Sequence, residues 1–334
     1  MKTITLIDTS ISTDNLGDEI IMDAVNEVID ELFPSAYVYR VPSHDRLSDR
    51  AHKFIAQSEQ TFIGGTNLLS SRINGSSLWR LRWRDTRYLC NAICIGVGWN
   101  DYMAGPSAGT RVLLRRVLSA DHEHSVRDSY TARHLSTTGR RSRMTSCVTM
   151  WKLTPDHCRR ISRTRARDAV LTLSAWRADP QADRNLIGLL RSRYRRVSFF
   201  PQMQGDLAYL HGLGFDDMPV IQPTTEAYTR FVAGEDVDVV GTRLHGGMRA
   251  LQVFRRALII GIDNRSVEIA KDTNLPVVPR GDLDAVSHWI EAGDATDITL
   301  PQAAISAWKA QFRAERAQPA SVRHEPPTLE TIPA

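Results

Sequence analysis

The stretch from Asp236 to Pro279 limits what this chain can become. Val237, Val239 and Val240 form a short run rich in β-branched residues, the pattern of a strand buried on both faces. The run ends in Gly241-Thr242-Arg243-Leu244-His245-Gly246-Gly247, and a helix-like segment, Met248 to Phe254, follows. A second apolar run, Ala257 to Ile262, leads into Asp263-Asn264-Arg265. Strand, polar loop, helix, strand and polar loop make a βαβ unit of an open parallel sheet. In such sheets ligands sit outside the carboxyl ends of the strands. Both loops fall at those ends, both carry an arginine, and the first also carries a histidine.

The same alternation runs through the rest of the chain. Residues 3–8 read as the first strand and Asp18 to Phe33 as the first helix, with Ile20, Ile21, Ala24, Val25, Val28, Ile29 and Leu32 on one face. Between them lies a polar loop, Thr9 to Asp18. Helix capping by Asp18, or by an earlier Asp or Ser, accounts for one of its residues and leaves a ligand role open for others. A strand at Thr61 to Ile63 runs into Gly64-Gly65, where absent side chains let the backbone approach a ligand or another segment. Ala92 to Val97 is a buried strand followed by the polar loop Gly98 to Pro106, and a short strand ends at Val126 before Arg127-Asp128. A salt bridge between neighbouring elements is the simplest account of that last pair.

The pattern breaks at Thr154-Pro155, and the polar, basic residues 155–167 read as a linker. A second alternation then begins. Ala169 to Leu173 ends at Ser174-Ala175-Trp176-Arg177, Val197 to Phe200 ends at Pro201 to Asp206, and Pro219 to Ile221 is short. The expected fold class is α/β, with two Rossmann-like domains, 1–155 and 168–316, facing a cleft. Gln302 to Arg316 reads as a closing helix, and the Pro- and Glu-containing tail, 317–334, is expected to be disordered.

Composition excludes several classes of function. With 334 residues, 42% hydrophobic and 24% charged, this is a globular chain with room for two domains. Nothing approaches the run of about 18 apolar residues that a membrane span needs. The first residues read as a strand, too short and too soon charged for a signal peptide, so the expected location is cytoplasmic. Cys90, Cys94, Cys147 and Cys158 show no CxxC spacing, which argues against zinc and a disulfide framework. No His, Cys or carboxylate cluster suggests another metal. The net charge is +4, with arginines gathered at 111–116, 140–143, 159–167 and 191–196. These runs are either solvated helix faces or an electropositive surface for anionic ligands or lipid head groups. They lack interleaved aromatics and match no nucleic-acid module, so no nucleic-acid partner is expected.

In order along the chain, the motifs resemble the polysaccharide pyruvyl transferase family. The matching stretches are Asn15-Leu16-Gly17-Asp18, Gly64-Gly65, Gly98 to Pro106, Val126-Arg127-Asp128 and Thr145 to Met150. In the second half they are Leu173 to Arg177, Phe200-Pro201-Gln202 with Asp206, and Arg243-Leu244-His245 with Asp263 and Glu268. Trp99-Asn100-Asp101 and Val148 depart from the family pattern. The resemblance implies a GT-B-like architecture and no cofactor. Phosphoenolpyruvate would be the co-substrate, and its pyruvate would form a ketal on a sugar of a surface polysaccharide or its precursor, which could be lipid-linked.

Phosphoenolpyruvate carries a carboxylate and a phosphate, so its site needs fixed cations, which arginine supplies as a planar fork. Arg243 and Arg177 end strands where such a ligand would lie. Leu244, Gly246 and Arg127 complete the implied donor set. The reaction needs an acid for the methylene carbon and a base for the sugar hydroxyls. His245 is the expected acid, and Asp18 and Asp128 are the candidate bases. Asn15, Gly64, Gly65 and Asn67 are expected to meet the acceptor. A nucleotide-sugar glycosyltransferase of GT-B type is the rival enzyme, and a basic polyanion-binding scaffold ranks last. The basic runs add an expected peripheral contact with the anionic inner face of the cytoplasmic membrane.

Overall fold

The structure is a computed structural model and describes residues 1–73 and 77–317, with side chains through residue 313. Most of the expected tail, 318–334, lies outside the described residues. The first half runs β1 (Thr3–Asp8), α1 (Leu16–Leu32), β2 (Tyr37–Pro42), α2 (Asp49–Gln57), β3 (Gln60–Gly64), β4 (Ala92–Ile95), α3 (Ala108–Val117), β5 (His124–Val126), α4 (Ser129–Ser136) and β6 (Ser142–Met144). Its sheet has the order β2-β1-β3-β4, all parallel. Because side chains alternate across a strand, each strand feeds two cores. Ile4, Leu6, Phe62, Ile93 and Ile95 pack against α1 on one face. Ile7, Ile63 and Cys94 pack with α2 and α3 on the other. β5 lies beside β4 through side-chain acceptors: Cys94 N–H donates to His124 Nδ1 (3.3 Å) and Gly96 N–H to Ser125 Oγ (2.8 Å).

The second half runs α5 (Pro155–Arg159), β7 (Asp168–Thr172), α6 (Pro180–Arg193), β8 (Val197–Phe199), α7 (Gln204–Gly212), α8 (Thr225–Gly234), β9 (Val237–Gly241), α9 (Leu244–Gln252), β10 (Ala257–Gly261), α10 (Asn264–Thr273), β11 (Val277–Pro279), α11 (Leu283–Ala292) and α12 (Gln302–Ala317). Its parallel sheet has the order β11-β10-β9-β7-β8. Two expectations need correction. Residues 155–167 are no free linker: Thr154 caps α5, and Cys158 and Ile161 are buried with Val170 and Val239. The crossing lies nearer Val148, which packs into the first half, and Met150, which packs into the second. Nor does the closing helix stay with the second half. On α12, Trp308 and Phe312 enter the first core beside Phe33 and Phe62, ring centroids 5.4–5.8 Å apart for Phe312 with those two rings.

In each sheet one central strand has neighbours reached in opposite directions, β1 between β2 and β3, and β7 between β9 and β8. Crevices open at such reversals, beyond the carboxyl ends. Hydrogen bonds across the halves hold the two crevices face to face. Leu16 N–H donates to the Gln202 carbonyl (2.9 Å), Gln202 Nε2 to Asn15 Oδ1 (3.1 Å) and Tyr102 Oη to Glu268 Oε1 (2.7 Å). Among the described residues no helix is long and apolar enough to cross a membrane.

Trp308→Ala tests the returning helix. Trp308 is fully buried, and truncating a buried tryptophan costs about 3–5 kcal/mol. The expected result is a fall of that size in unfolding free energy from denaturant titration. A change under about 1 kcal/mol, the size of a surface effect, would show that α12 does not hold the first core.

Candidate active site between the two sheets

A cleft of about 480 Å³ opens where the crevices meet, within the range of about 300–1,000 Å³ common for small-molecule sites. Its first-half wall carries Asn15, Asp18, His44, Asn67 and Asn100; the second half contributes Trp176, Met203, Arg243 and Arg265. Asn15, rather than Asp18, caps α1, its Oδ1 accepting the Gly17 N–H at 3.0 Å. Asp18 is left in the first turn, where Oδ2 accepts from Thr13 Oγ1 (2.8 Å) and lies 3.6 Å from His44 Nε2. His44 follows β2, and its Nδ1 donates to the Leu78 carbonyl (3.2 Å), which turns Nε2 toward the carboxylate. Burial works against charging this ring, but the hydrogen bond and charge of Asp18 prevail and raise its pKa above the ordinary histidine value.

The facing wall is cationic. Arg243 stands at the N-terminus of α9, and its guanidinium grips Asp206 in two places while Nε also donates to the Leu173 carbonyl (3.1 Å). The N–H groups of Leu244, His245 and Gly246 have no acceptor among the described residues, so this turn presents partial positive charge. Asp263 caps α10 and also takes Arg265 Nε (2.8 Å) and Nη2 (2.6 Å). Burial alone would raise the Asp263 carboxyl, yet Arg265 holds it below the usual carboxylate range. Arg265 Nη1 has no hydrogen-bond partner among the described residues and belongs to a side chain that lines the cleft.

The other expected site residues are placed differently. Asp128 is fully buried as the cap of α4, accepting from Thr131 N–H (2.7 Å) and Arg127 Nε (2.8 Å), and is not an open base. Arg127 lies one layer behind the wall and donates to Asn67, leaving its buried Nη2 unpaired. Gly98 makes room for it, since a Cβ there would lie 2.2 Å from Arg127 Cζ. Gly64 and Gly65 do not line the cleft; they admit α1, a Cβ on Gly65 falling 2.0 Å from Ile21 Cγ2. Arg177 pairs with Asp101 (2.8 Å) across the halves. Leu244 is a core residue, and the Gly246 carbonyl accepts from Tyr228 Oη (2.8 Å). His245 is buried beneath the cleft with Nε2 3.8 Å from Cys147 Sγ. Burial first, then the Arg265 charge, push its pKa down to about 3. It is a neutral ring at working pH and ill suited to give up a proton. His44 was missed, although it follows the carboxyl end of β2, where the rule for parallel sheets looks for ligands.

Two parallel sheets with facing crevices, over a cleft with one cationic wall, define a GT-B-like two-domain enzyme. A UDP-GlcNAc 2-epimerase from Methanocaldococcus jannaschii superposes with a TM-score of 0.55 at 10% identity, covering 95% of this chain and 99% of that one. MnaA from S. aureus gives 0.55 at 9% identity, covering 97% and 100%. These likenesses concern the fold. Among curated proteins none matches the chain. The chain belongs to the polysaccharide pyruvyl transferase family, whose sequence profile matches residues 15–264, and it is therefore a transferase.

The buried histidines predict an acid limit. His245 stays neutral down to about pH 3 and His124 down to about pH 4, while in the unfolded chain both charge near 6.5. Both pKa values are depressed on folding, so their contribution is complete above about pH 6.5 and is lost as pH falls. His44 has the opposite sign, stabilising below its ordinary value and less so as pH rises through its raised one. Each buried ring should add up to about 1.4 kcal/mol per pH unit to the acid slope. His245→Gln should make the slope shallower by about one proton in denaturant titrations across that window. An unchanged slope would show that the ring is not buried in its neutral form.

Proposed function

We propose that the protein transfers the pyruvyl group of phosphoenolpyruvate to two hydroxyls of a sugar in a surface polysaccharide or its precursor, closing a ketal. One observation carries this reading: a single cleft holds pinned arginines on one wall and a protonatable His44–Asp18 pair on the other. Arg265, Arg243 and the open first turn of α9 suit a ligand with both carboxylate and phosphate. Their geometry is set before any ligand arrives, which favours electrostatic stabilisation of the transition state. Asn15, Asn67 and Asn100 offer amides to sugar hydroxyls.

In the proposed reaction, His44 gives its proton to the methylene carbon, which becomes a methyl group, and C2 turns electrophilic. A first hydroxyl adds to C2, the C2–O bond to phosphate breaks, and a second hydroxyl adds. Of the two hydroxyl protons, one restores His44 and the other leaves on inorganic phosphate. Asp18 favours the charged ring for the first step and steadies it afterwards.

Reaction in heavy water with phosphoenolpyruvate and a panel of bacterial oligosaccharides should release phosphate and leave one deuterium in the product methyl. Release of nucleotide from a nucleotide sugar, with no phosphate from phosphoenolpyruvate, would overturn the donor. His44→Gln should lower kcat by about 10²–10⁴-fold, the usual scale of general acid–base catalysis, with donor binding measured separately. His245→Gln should lower it far less. A His44 variant that turns over at the parent's rate would remove His44 from the chemistry.

A further inference from the structure

Among the described residues, three of the four arginine runs are met at least in part by carboxylates. Arg143 pairs with Glu123 and Arg159 with Asp156, while Arg165 meets Glu291 at 2.7 Å. Arg191 meets Asp217 at 2.7 Å, and Arg195 and Arg196 meet Asp168 at 2.9 and 3.3 Å. The fourth run, on α3, differs. Arg115 Nε donates to the Thr138 carbonyl (2.7 Å), and α3 contains no acid. Beside α3 lies the 3-10 turn Trp83–Arg87. Arg72, Arg87, Arg111 and Arg116 are all exposed and have no carboxylate partner among the described residues. The acid of the turn, Asp85, is fully buried, where it takes His52 Nε2 (2.9 Å) and the Arg82 N–H (2.8 Å).

This uncompensated charge coincides with exposed apolar surface. Trp83 is 53% exposed and Val112 45%. Between the turn and α3 runs a groove of about 630 Å³ whose apolar lining is Ile73, Leu81, Trp83 and Leu113. The Arg116 guanidinium sits 5.8 Å from the Trp83 ring centroid.

We propose that this face of the first half docks on an anionic phospholipid bilayer, with head-group phosphates on the arginines and the Trp83 ring at the interface. Tryptophan favours the head-group level because it is apolar at one end and polar at the other. Arginines near an anionic leaflet are attracted within a Debye length, about 8 Å at physiological salt. Sequence-tolerant nucleic-acid surfaces instead line a basic groove with successive stacking rings, and here the ring beside the groove is Trp83, approached by Arg116. The docking face also adjoins the cleft: Leu78 and Arg80, on the segment leading to Trp83, line it. A bilayer-held sugar acceptor would thus meet the cleft from the docked side. That last step rests on the proposed acceptor; the docking does not.

The test is co-sedimentation of the full chain with vesicles of phosphatidylcholine alone and of phosphatidylcholine with phosphatidylglycerol in equal parts. Binding is expected only to the second, and it should fade as salt is raised. Arg111→Gln and Arg116→Gln should each weaken it about fivefold, the scale of one charge near an anionic surface. Trp83→Ser should weaken it further, whereas Arg191→Gln, in a neutralised run, should not. Melting curves establish that each variant is folded. Equal binding to neutral vesicles, binding to neither, or α3 variants that bind like the parent would overturn the proposal. So would tight binding of a single-stranded oligonucleotide with none to vesicles. A protein that docks yet releases no phosphate from phosphoenolpyruvate would overturn the donor reading and leave the docking standing.

Discussion

A parallel sheet sends every strand's carboxyl end to one edge, and this chain builds two such sheets and turns those edges toward each other. The turning depends on a small seam at the start of α1. Asn15 Oδ1 accepts the Gly17 N–H that begins the helix and also the Nε2 of Gln202 from the other half. Gly17 permits that approach, since a Cβ there would lie 2.7 Å from Gln202 Nε2. One side chain therefore starts a helix and closes the two halves. Asp18 stands in the first turn of the same helix.

The charges around the cleft are held differently from those on the outer face. Arg243 is 7% exposed, and a guanidinium that buried is tenable only with a partner, because desolvating an unpaired ion costs several kcal/mol. Asp206 is that partner, as Asp263 is for Arg265 and Asp128 for Arg127. Each carboxylate uses part of a fork and fixes its direction. What is left over, Nη1 of Arg265 and the unpaired Nη2 of Arg127, is donor capacity already in place. The second of these is buried, and a buried donor without a partner is uncommon enough to need a reason. On the α3 face Arg111 and Arg116 are exposed to solvent, suited to a diffuse anionic surface and not to one small molecule.

Much of the fold was legible because parallel strands buried on both faces read as unbroken apolar runs. The strands at 3–8, 237–241 and 257–261 stand where that rule puts them. Strand β2, where Val41 alone is fully buried, lies at an edge and offers no such run, and His44 at its end went unseen with it. The linker was misplaced because 155–167 is polar on average, while its packing rests on two residues, Cys158 and Ile161. The return of α12 could not be read at all: amphipathicity tells that a helix has a buried face, not which core receives it. Within the site, Arg243 and Arg265 were visible as strand-end arginines. The partner of Arg265, Asp263, stands beside it in sequence, whereas that of Arg243, Asp206, comes from another element, and Gly64-Gly65 marked helix packing, not a ligand.

Two histidines close to one cleft illustrate how environment divides roles between like residues. His245 lies within the arginine-bearing motif and was the expected acid. Its ring is enclosed, faces the Cys147 thiol and feels Arg265, and so the neutral form wins. His44 lies on the opposite wall, anchored at Nδ1 by a carbonyl and facing Asp18 at Nε2, and its pKa is raised. Burial opposes charge at both; at His245 it is complete and prevails, while at His44 it is partial and Asp18 outweighs it. Environments that push two titratable groups apart are the usual way a site assigns proton traffic. By that criterion the motif histidine belongs to the architecture of the cationic wall, and the proposed reaction draws its proton from His44, whose partner Asp18 is set in place by the seam that closes the halves.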